Sequence, residues 1–180
     1  MKDEYIGKEL EMMSHFSFKD NMDNYIRLCV VGNVDSGKST LVGVLTKGIL
    51  DNGRGSSREK VFNYAHESET GRTSSIAQEI MCFDQNNKQI FAERFVQRKN
   101  KYWTEIVPRA QKIVNLVDLC GHEKYLKTTI VGMVGMVPEY TLIVVGANSG
   151  LSKMTKEHLG IALALEIPFF IVITKIDMVD

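Results

Sequence analysis

Residues 25–39 read Tyr25-Ile26-Arg27-Leu28-Cys29-Val30-Val31-Gly32-Asn33-Val34-Asp35-Ser36-Gly37-Lys38-Ser39. The first seven are a short, apolar, β-branched run, the pattern of a buried strand. After Gly37 the residues Leu41, Val44 and Leu45 recur at helical spacing. Between the two, Gly32 to Ser39 fits G-x-x-x-x-G-K-[ST] in the setting that gives this motif meaning, after a strand and at the start of a helix. The glycines let the backbone curl until its N–H groups, joined by those of the helix N-terminus, surround phosphate oxygens. Asn33, Val34, Asp35, Ser36, Gly37, Lys38, Ser39 and Thr40 are therefore the candidate phosphate-binding residues. Lys38 brings a positive charge to the β- and γ-phosphates, and the Ser39 hydroxyl is a hard oxygen ligand suited to Mg2+. The alternative is an ordinary glycine loop that starts a helix.

Outward from this loop the chain reads as alternating strands and helices. A strand is expected from Ile76 to Phe83, a turn at 84–88 and a returning extended piece from Gln89 to Phe95. Another strand runs from Lys112 to Leu119, and the helix after it reaches Met136 and ends at Pro138. Thr141 to Ala147 and Phe169 to Thr174 are near-continuous apolar runs with a helix at Lys153 to Leu165 between them, the pattern of parallel strands covered on both faces. The fold class is α/β, a P-loop NTPase with a mostly parallel twisted sheet flanked by helices and one antiparallel edge hairpin. The polar stretch 51–75 is too long for an ordinary connection and is expected to be functional. Residues 1–25, with three lysines against six acids, form an acidic lead-in. The chain ends just after the last apolar strand, where a doubly wound sheet normally continues, so a partial domain or a piece of a larger protein is expected.

Two more elements carry chemistry. Asp118 closes a buried apolar strand, where a carboxylate is costly unless a cation or hydrogen bonds satisfy it. It is a candidate metal ligand, with a helix cap as the alternative, and the Gly121 N–H beyond it can approach a γ-phosphate that a side chain would block. Thr174-Lys175-Ile176-Asp177 follows another strand. A guanine edge offers two donors to one carboxylate where adenine offers no such pair, so Asp177 is the expected base reader, with the Lys175 stem over the purine.

Together these elements resemble the translational GTPases, the elongation-factor-like class of P-loop proteins, and within it the branch of GTP-binding proteins 1 and 2. The resemblance covers about residues 26–180 and is carried by GNVDSGKSTLVGVLT, GRTSSI, DLCGHEKYLKTT, KEHLGIALAL and TKIDM. It implies GTP binding and Mg2+-dependent hydrolysis to GDP, slow without a partner, as a switch acting on the ribosome or aminoacyl-tRNA, with β-barrel domains after the GTP-binding domain. It also implies that the Thr73 hydroxyl binds Mg2+, that His122 orients the attacking water, and that Asp35 places a monovalent cation or orders the phosphate loop. The catalytic set is then His122, Thr73 and Lys38. The metal set is Ser39, Thr73 and Asp118, and Gly121, Thr174, Lys175 and Asp177 complete the nucleotide set. The altered positions open a second reading, a nucleotide-dependent binding module with little hydrolysis of its own. Cys120 stands where the class has proline, which frees the loop's φ. Arg72 replaces an apolar gate residue. Thr174 replaces asparagine, keeping a hydroxyl but losing the amide's reach and so weakening the bracing of the phosphate loop.

Composition bounds the remainder. With 22 basic and 22 acidic residues in 180, no overall charge draws the chain to nucleic acid or anionic membrane. Three cysteines without a Cys-x-x-Cys pair suggest neither disulfides nor structural zinc and fit a reducing, cytoplasmic location. No apolar run reaches the ~20 residues of a membrane span. Cys29 and Cys82 are expected to be buried small hydrophobes, while Cys120 sits where a helix dipole and a metal would favour its thiolate. His158 is expected to be a hydrogen-bonded structural histidine. The segment 85–112, with seven basic and two acidic residues, is a basic insertion. It is either an RNA-facing patch or a solvated amphipathic helix, with Tyr102, Trp103, Ile106 and Val107 as a stripe stopped by Pro108.

Overall fold

The computed structural model describes residues 24–91 and 106–179. Most of the acidic lead-in, and of the basic insertion Tyr102, Trp103 and the cluster Arg94, Arg98, Lys99 and Lys101, lie outside the described residues. Six strands are present: β1 (Tyr25–Gly32), β2 (Ala77–Phe83), β3 (Gln89–Ile90), β4 (Lys112–Asp118), β5 (Tyr140–Gly146) and β6 (Phe169–Thr174). They are hydrogen-bonded in the order β3-β2-β4-β1-β5-β6. Helices α1 (Lys38–Lys47), α2 (Ala65–Thr70), α3 (Leu126–Met136) and α4 (Lys153–Ala164) lie between them in sequence. β1 runs parallel to β5 and β5 to β6, as crossover helices require, whereas β2 and β3 form an antiparallel hairpin with Cys82 opposite Ile90. The mixed, mostly parallel sheet with an antiparallel edge matches the α/β reading of the sequence.

The chain divides into two compact units. The larger comprises 27–79 and 115–180. Its core joins Cys29 and Val31 of β1 to Ile143 and Val145 of β5, each pair spaced by two and so on one face, with Val117, Leu119, Met133 and Ala162. Emptying such a site, Ile143→Ala for example, costs about 2–5 kcal/mol. The smaller unit has its own core of Ile80, Cys82, Ile106, Val107 and Ile113.

Pro108 lies in a 3-10 turn, Val107–Arg109, directly after the helical residue Ile106, and the rest of the expected helix lies outside the described residues. One expectation is corrected. β6 is not covered on both faces: Phe170, Ile171 and Ile173 are 46, 51 and 62% exposed. It is the last strand in the order and pairs only with β5, so its apolar sequence does not translate into burial. Among the described residues no helix is long and apolar enough to cross a membrane.

Candidate functional site

The phosphate loop is built as its sequence requires. Asp35 (φ 58°) and Gly37 (φ 88°) both take left-handed backbone, which aspartate tolerates and glycine favours, and α1 starts at Lys38. Lys38 is buried and donates to the Asn33 carbonyl at 2.7 Å. Burial pushes its ammonium down in pKa, while the charge of Asp118 opposes that shift. Gly121 closes over it, since a Cβ there would come within 2.5 Å of Lys38 Nζ and 2.6 Å of the Gly32 carbonyl. Any side chain at Gly121 would therefore fill the cradle.

Three oxygens from three separate elements meet at one corner. Ser39 Oγ donates to Asp118 Oδ2 at 2.6 Å and lies 2.7 Å from Thr73 Oγ1. Asp118 is fully buried and, among the described residues, its Oδ1 has no hydrogen-bond partner. Burial raises its carboxyl to about pKa 6 against the pull of Lys38 and Ser39. An unpartnered carboxylate oxygen beside two hydroxyls is the donor set of a hard cation, and the residues fit Mg2+. Thr73, Lys38, Ser39, Thr40, Val34, Asp35, Gly37, Gly121 and His122 line one open cavity of about 440 Å³. His122 starts the 3-10 turn Glu123–Tyr125, and its Nδ1 accepts from the Lys124 N–H at 3.1 Å. That bond places the ring proton on Nε2.

Thr174, Lys175 and Asp177 are not among the residues that line this cavity. Lys175 takes left-handed backbone (φ 56°) and starts the turn Ile176–Met178, and Asp177 is exposed with no polar partner among the described residues. Thr174 does brace the phosphate loop, because its hydroxyl donates to the Ser36 carbonyl at 2.7 Å. Cys120 is likewise held, buried with its thiol donating to the Ser75 carbonyl at 3.5 Å. Burial, with the charges of Asp118 and Glu67 adding to it, pushes that thiol up to about 12. Cys29 and Cys82 are buried as expected. His158 is buried, but among the described residues neither ring nitrogen has a hydrogen-bond partner, in contrast to the expected satisfied histidine.

Three polar residues of the 51–75 stretch do work that the sequence reading missed. The Asp51 carboxylate gathers the N–H groups of Gly53, Gly55 and Ser57 at 2.8, 3.1 and 2.9 Å, fixing one turn. Glu67, fully buried, fixes the next. Its Oε2 accepts from the N–H groups of Asn63 and Tyr64 at 2.9 and 3.2 Å. Its Oε1 accepts from the N–H and hydroxyl groups of Ser74 and Ser75 at 2.7–3.1 Å. Burial acts to raise its pKa, and these bonds outweigh burial and hold the carboxyl below the usual range. Because Thr73 immediately precedes Ser74, Glu67 fixes the backbone that carries it. The third residue, Arg58, lines the cavity with Lys38 and Thr73. Glu67 is one of two acids in HESETG, and nothing in that spacing singles it out.

Residues 23–180 match the family described as the Elongation factor Tu GTP binding domain. The chain belongs to this family. Over 172 residues it is 51% identical to GTP-binding protein 1 of Xenopus laevis, covering 96% of this chain and 26% of that protein. It is 48% identical over 153 residues to GTP-binding protein 2 of Homo sapiens, covering 85% of this chain and 25% of that one. A crystal structure of a bacterial selenocysteine-specific elongation factor, EF-Sec, superposes with a TM-score of 0.61 at 26% identity, covering 87% of this chain and 21% of the other. The chain thus spans about a quarter of the length of the curated relatives it matches. It is a GTP-binding domain of the elongation-factor family, and the resemblance to GTP-binding proteins 1 and 2 is borne out. Membership implies the use of GTP and GDP.

Proposed function

We propose that this domain binds GTP with Mg2+, hydrolyses it to GDP and phosphate, and so acts as a cytoplasmic switch in translation or another ribosome-linked process. The observation that carries the reading is the Ser39–Thr73–Asp118 oxygen cluster, which ties the phosphate loop, the polar 51–75 stretch and the end of β4 to one point. Backbone N–H groups of 33–39 and the Lys38 ammonium bind the phosphates. Ser39, Thr73 and Asp118 would hold Mg2+, which supplies charge compensation at the β- and γ-phosphates when bound. The Gly121 N–H faces the γ-phosphate, and His122, its tautomer set by the Lys124 N–H, orients the attacking water through Nε2. Asp177 accepts from the guanine edge, Thr174 braces the loop beneath it, and the Lys175 stem covers the ring. Asp35, exposed at the turn of the loop, is the residue for a monovalent cation. The relatives' names and the translational character of the family support ribosome or tRNA as partner, with β-barrel domains completing the protein.

A second reading, a nucleotide-dependent binding module that hydrolyses little by itself, is favoured by one observation: Arg72, at the position of an apolar gate residue in the family, is an exposed charge on the cavity wall. Single-turnover hydrolysis of bound GTP, with and without ribosomes, separates the two. Phosphate release that falls in His122→Ala while GTP affinity survives supports the switch. Absence of release under both conditions leaves the binding module.

A further inference from the structure

Arg58 opens the 3-10 turn Arg58–Lys60, half-buried and in a slot made by two glycines from different turns. A Cβ on Gly55 would come within 2.4 Å of its Nε, and one on Gly71 within 2.9 Å of its Nη2. Both glycines also have left-handed backbone, at φ 91° and 66°. The slot is held on both sides by the carboxylates described above. Asp51 accepts from the Gly55 N–H, and Gly71 caps α2, the helix that contains Glu67. Nothing in the described residues satisfies the guanidinium: it has no hydrogen bond and no ion pair. Arg58 lines the same cavity as Lys38, Ser39, Thr73, Gly121 and His122, and its planar fork of five N–H donors suits phosphate oxygens. Gly71 lies two residues before Thr73, whose hydroxyl meets Ser39, so one wall of the slot belongs to the segment that carries Thr73 to the Ser39 corner. Arg72 also lines the cavity but is exposed and has no such slot.

We propose that Arg58 is a catalytic arginine supplied by the chain itself, contacting the γ-phosphoryl group and stabilising the charge that develops during its transfer. The proposal rests on the GTPase reading and assigns to this chain a group that other nucleotide switches take from elsewhere in their fold or from a partner. In the step, a water oxygen bonds to the γ-phosphorus while the bond from that phosphorus to the β–γ bridging oxygen breaks. The bonding pair stays on the β-phosphate of GDP, and the water proton leaves with the released phosphate. Arg58 stays protonated throughout and contributes charge and two directed N–H donors.

The test uses the chain with Arg58→Ala and Arg58→Lys, reading single-turnover GTP hydrolysis and the affinity for fluorescent GDP with and without aluminium fluoride. In Arg58→Ala the hydrolysis rate constant should fall about 100-fold or more, with GDP affinity kept and the extra affinity from aluminium fluoride lost. Arg58→Lys should recover part of the rate, because it restores the charge without the fork. Preserved GDP affinity also reports that the loop still folds. A parent rate in Arg58→Ala overturns the proposal alone, as does an equal loss of GDP affinity, which would assign Arg58 to ground-state binding or to holding the loop. A parent chain that neither hydrolyses GTP nor gains affinity with aluminium fluoride overturns the GTPase reading and this proposal together.

Discussion

Replacing Glu67 by glutamine exchanges one carboxylate oxygen for an NH2 group and should loosen the whole 63–75 segment. In the parent both carboxylate oxygens face donors only: Oε2 the N–H groups of Asn63 and Tyr64, and Oε1 those of Ser74 and Ser75 with their hydroxyls. Only an ionised carboxylate presents acceptors on both sides. In Glu67→Gln one side must become an NH2 group, and the favourable choice keeps the oxygen toward the serines and turns the NH2 onto Asn63 and Tyr64. Two hydrogen bonds to a charged acceptor, worth about 1.5–3 kcal/mol each, are then replaced by opposed donors. Water reaches Asn63 and Tyr64, which are exposed, and offsets part of the loss. The net local cost is ~2–4 kcal/mol, or roughly 30- to 1000-fold in the opening equilibrium. Amide hydrogen exchange should therefore accelerate by that factor at Ser74 and Ser75, while the β1 and β5 amides keep parent rates. Since Thr73 sits on the loosened backbone, preference for GTP over GDP should fall in parallel. The carboxyl is held below the usual range, so its contribution is present above an ordinary glutamate pKa and is lost as pH falls through the lower folded value. The difference between Glu67→Gln and parent should shrink at acid pH. Parent-like exchange at Ser74 and Ser75 at neutral pH would refute the argument.

His158 is pushed down to about 4 by burial, with the Lys38 charge adding to it, so the unfolded chain binds a proton the folded chain refuses between about pH 6.5 and 4. His158→Leu should remove that ~3 kcal/mol of acid destabilisation, seen as a stability advantage over the parent that grows as urea midpoints are followed downward in pH; parallel pH slopes would contradict it. Asp177→Asn should exchange a GTP preference for an XTP preference, because asparagine donates to the xanthine oxygen that replaces the guanine amino group; competition binding reads the shift, and retained GTP preference would move base reading elsewhere. Changing Arg94, Arg98, Lys99 and Lys101 together to glutamine should weaken ribosome or RNA association and flatten its salt dependence while GTP affinity stays; sedimentation across a salt series reads it, and an unchanged slope would assign the segment to packing.

What was legible in the sequence follows from how local each signal is. The phosphate loop declares itself because Gly37, Lys38 and Ser39 act through backbone shape and a helix start, both fixed within a few residues. Asp118 is legible because a carboxylate at the end of an apolar strand is conspicuous by its cost. β6 misled because an apolar run reports what a strand is suited to pack against, and not which neighbours it pairs with. His158 misled for a related reason, since a sequence shows that a polar ring is buried but not whether its nitrogens find partners. Glu67 and Arg58 stayed hidden because their roles come from tertiary contacts, a carboxylate gathering donors seven or eight residues away and a guanidinium wedged between two separate turns. At Thr174 the sequence shows the hydroxyl, and only the fold shows that it reaches the Ser36 carbonyl.

The central claim is that Ser39, Thr73 and Asp118 form the Mg2+ corner of a GTP switch. The most direct measurement is calorimetric binding of a non-hydrolysable GTP analogue and of GDP to the parent and to Ser39→Ala, each in Mg2+ and in chelator. The account predicts that Mg2+ strengthens the analogue in the parent by at least about tenfold, or ~1.4 kcal/mol, strengthens GDP less, and has little effect on either nucleotide in Ser39→Ala. Analogue affinity that is the same with and without Mg2+ in the parent, or an undiminished Mg2+ effect in Ser39→Ala, would contradict it.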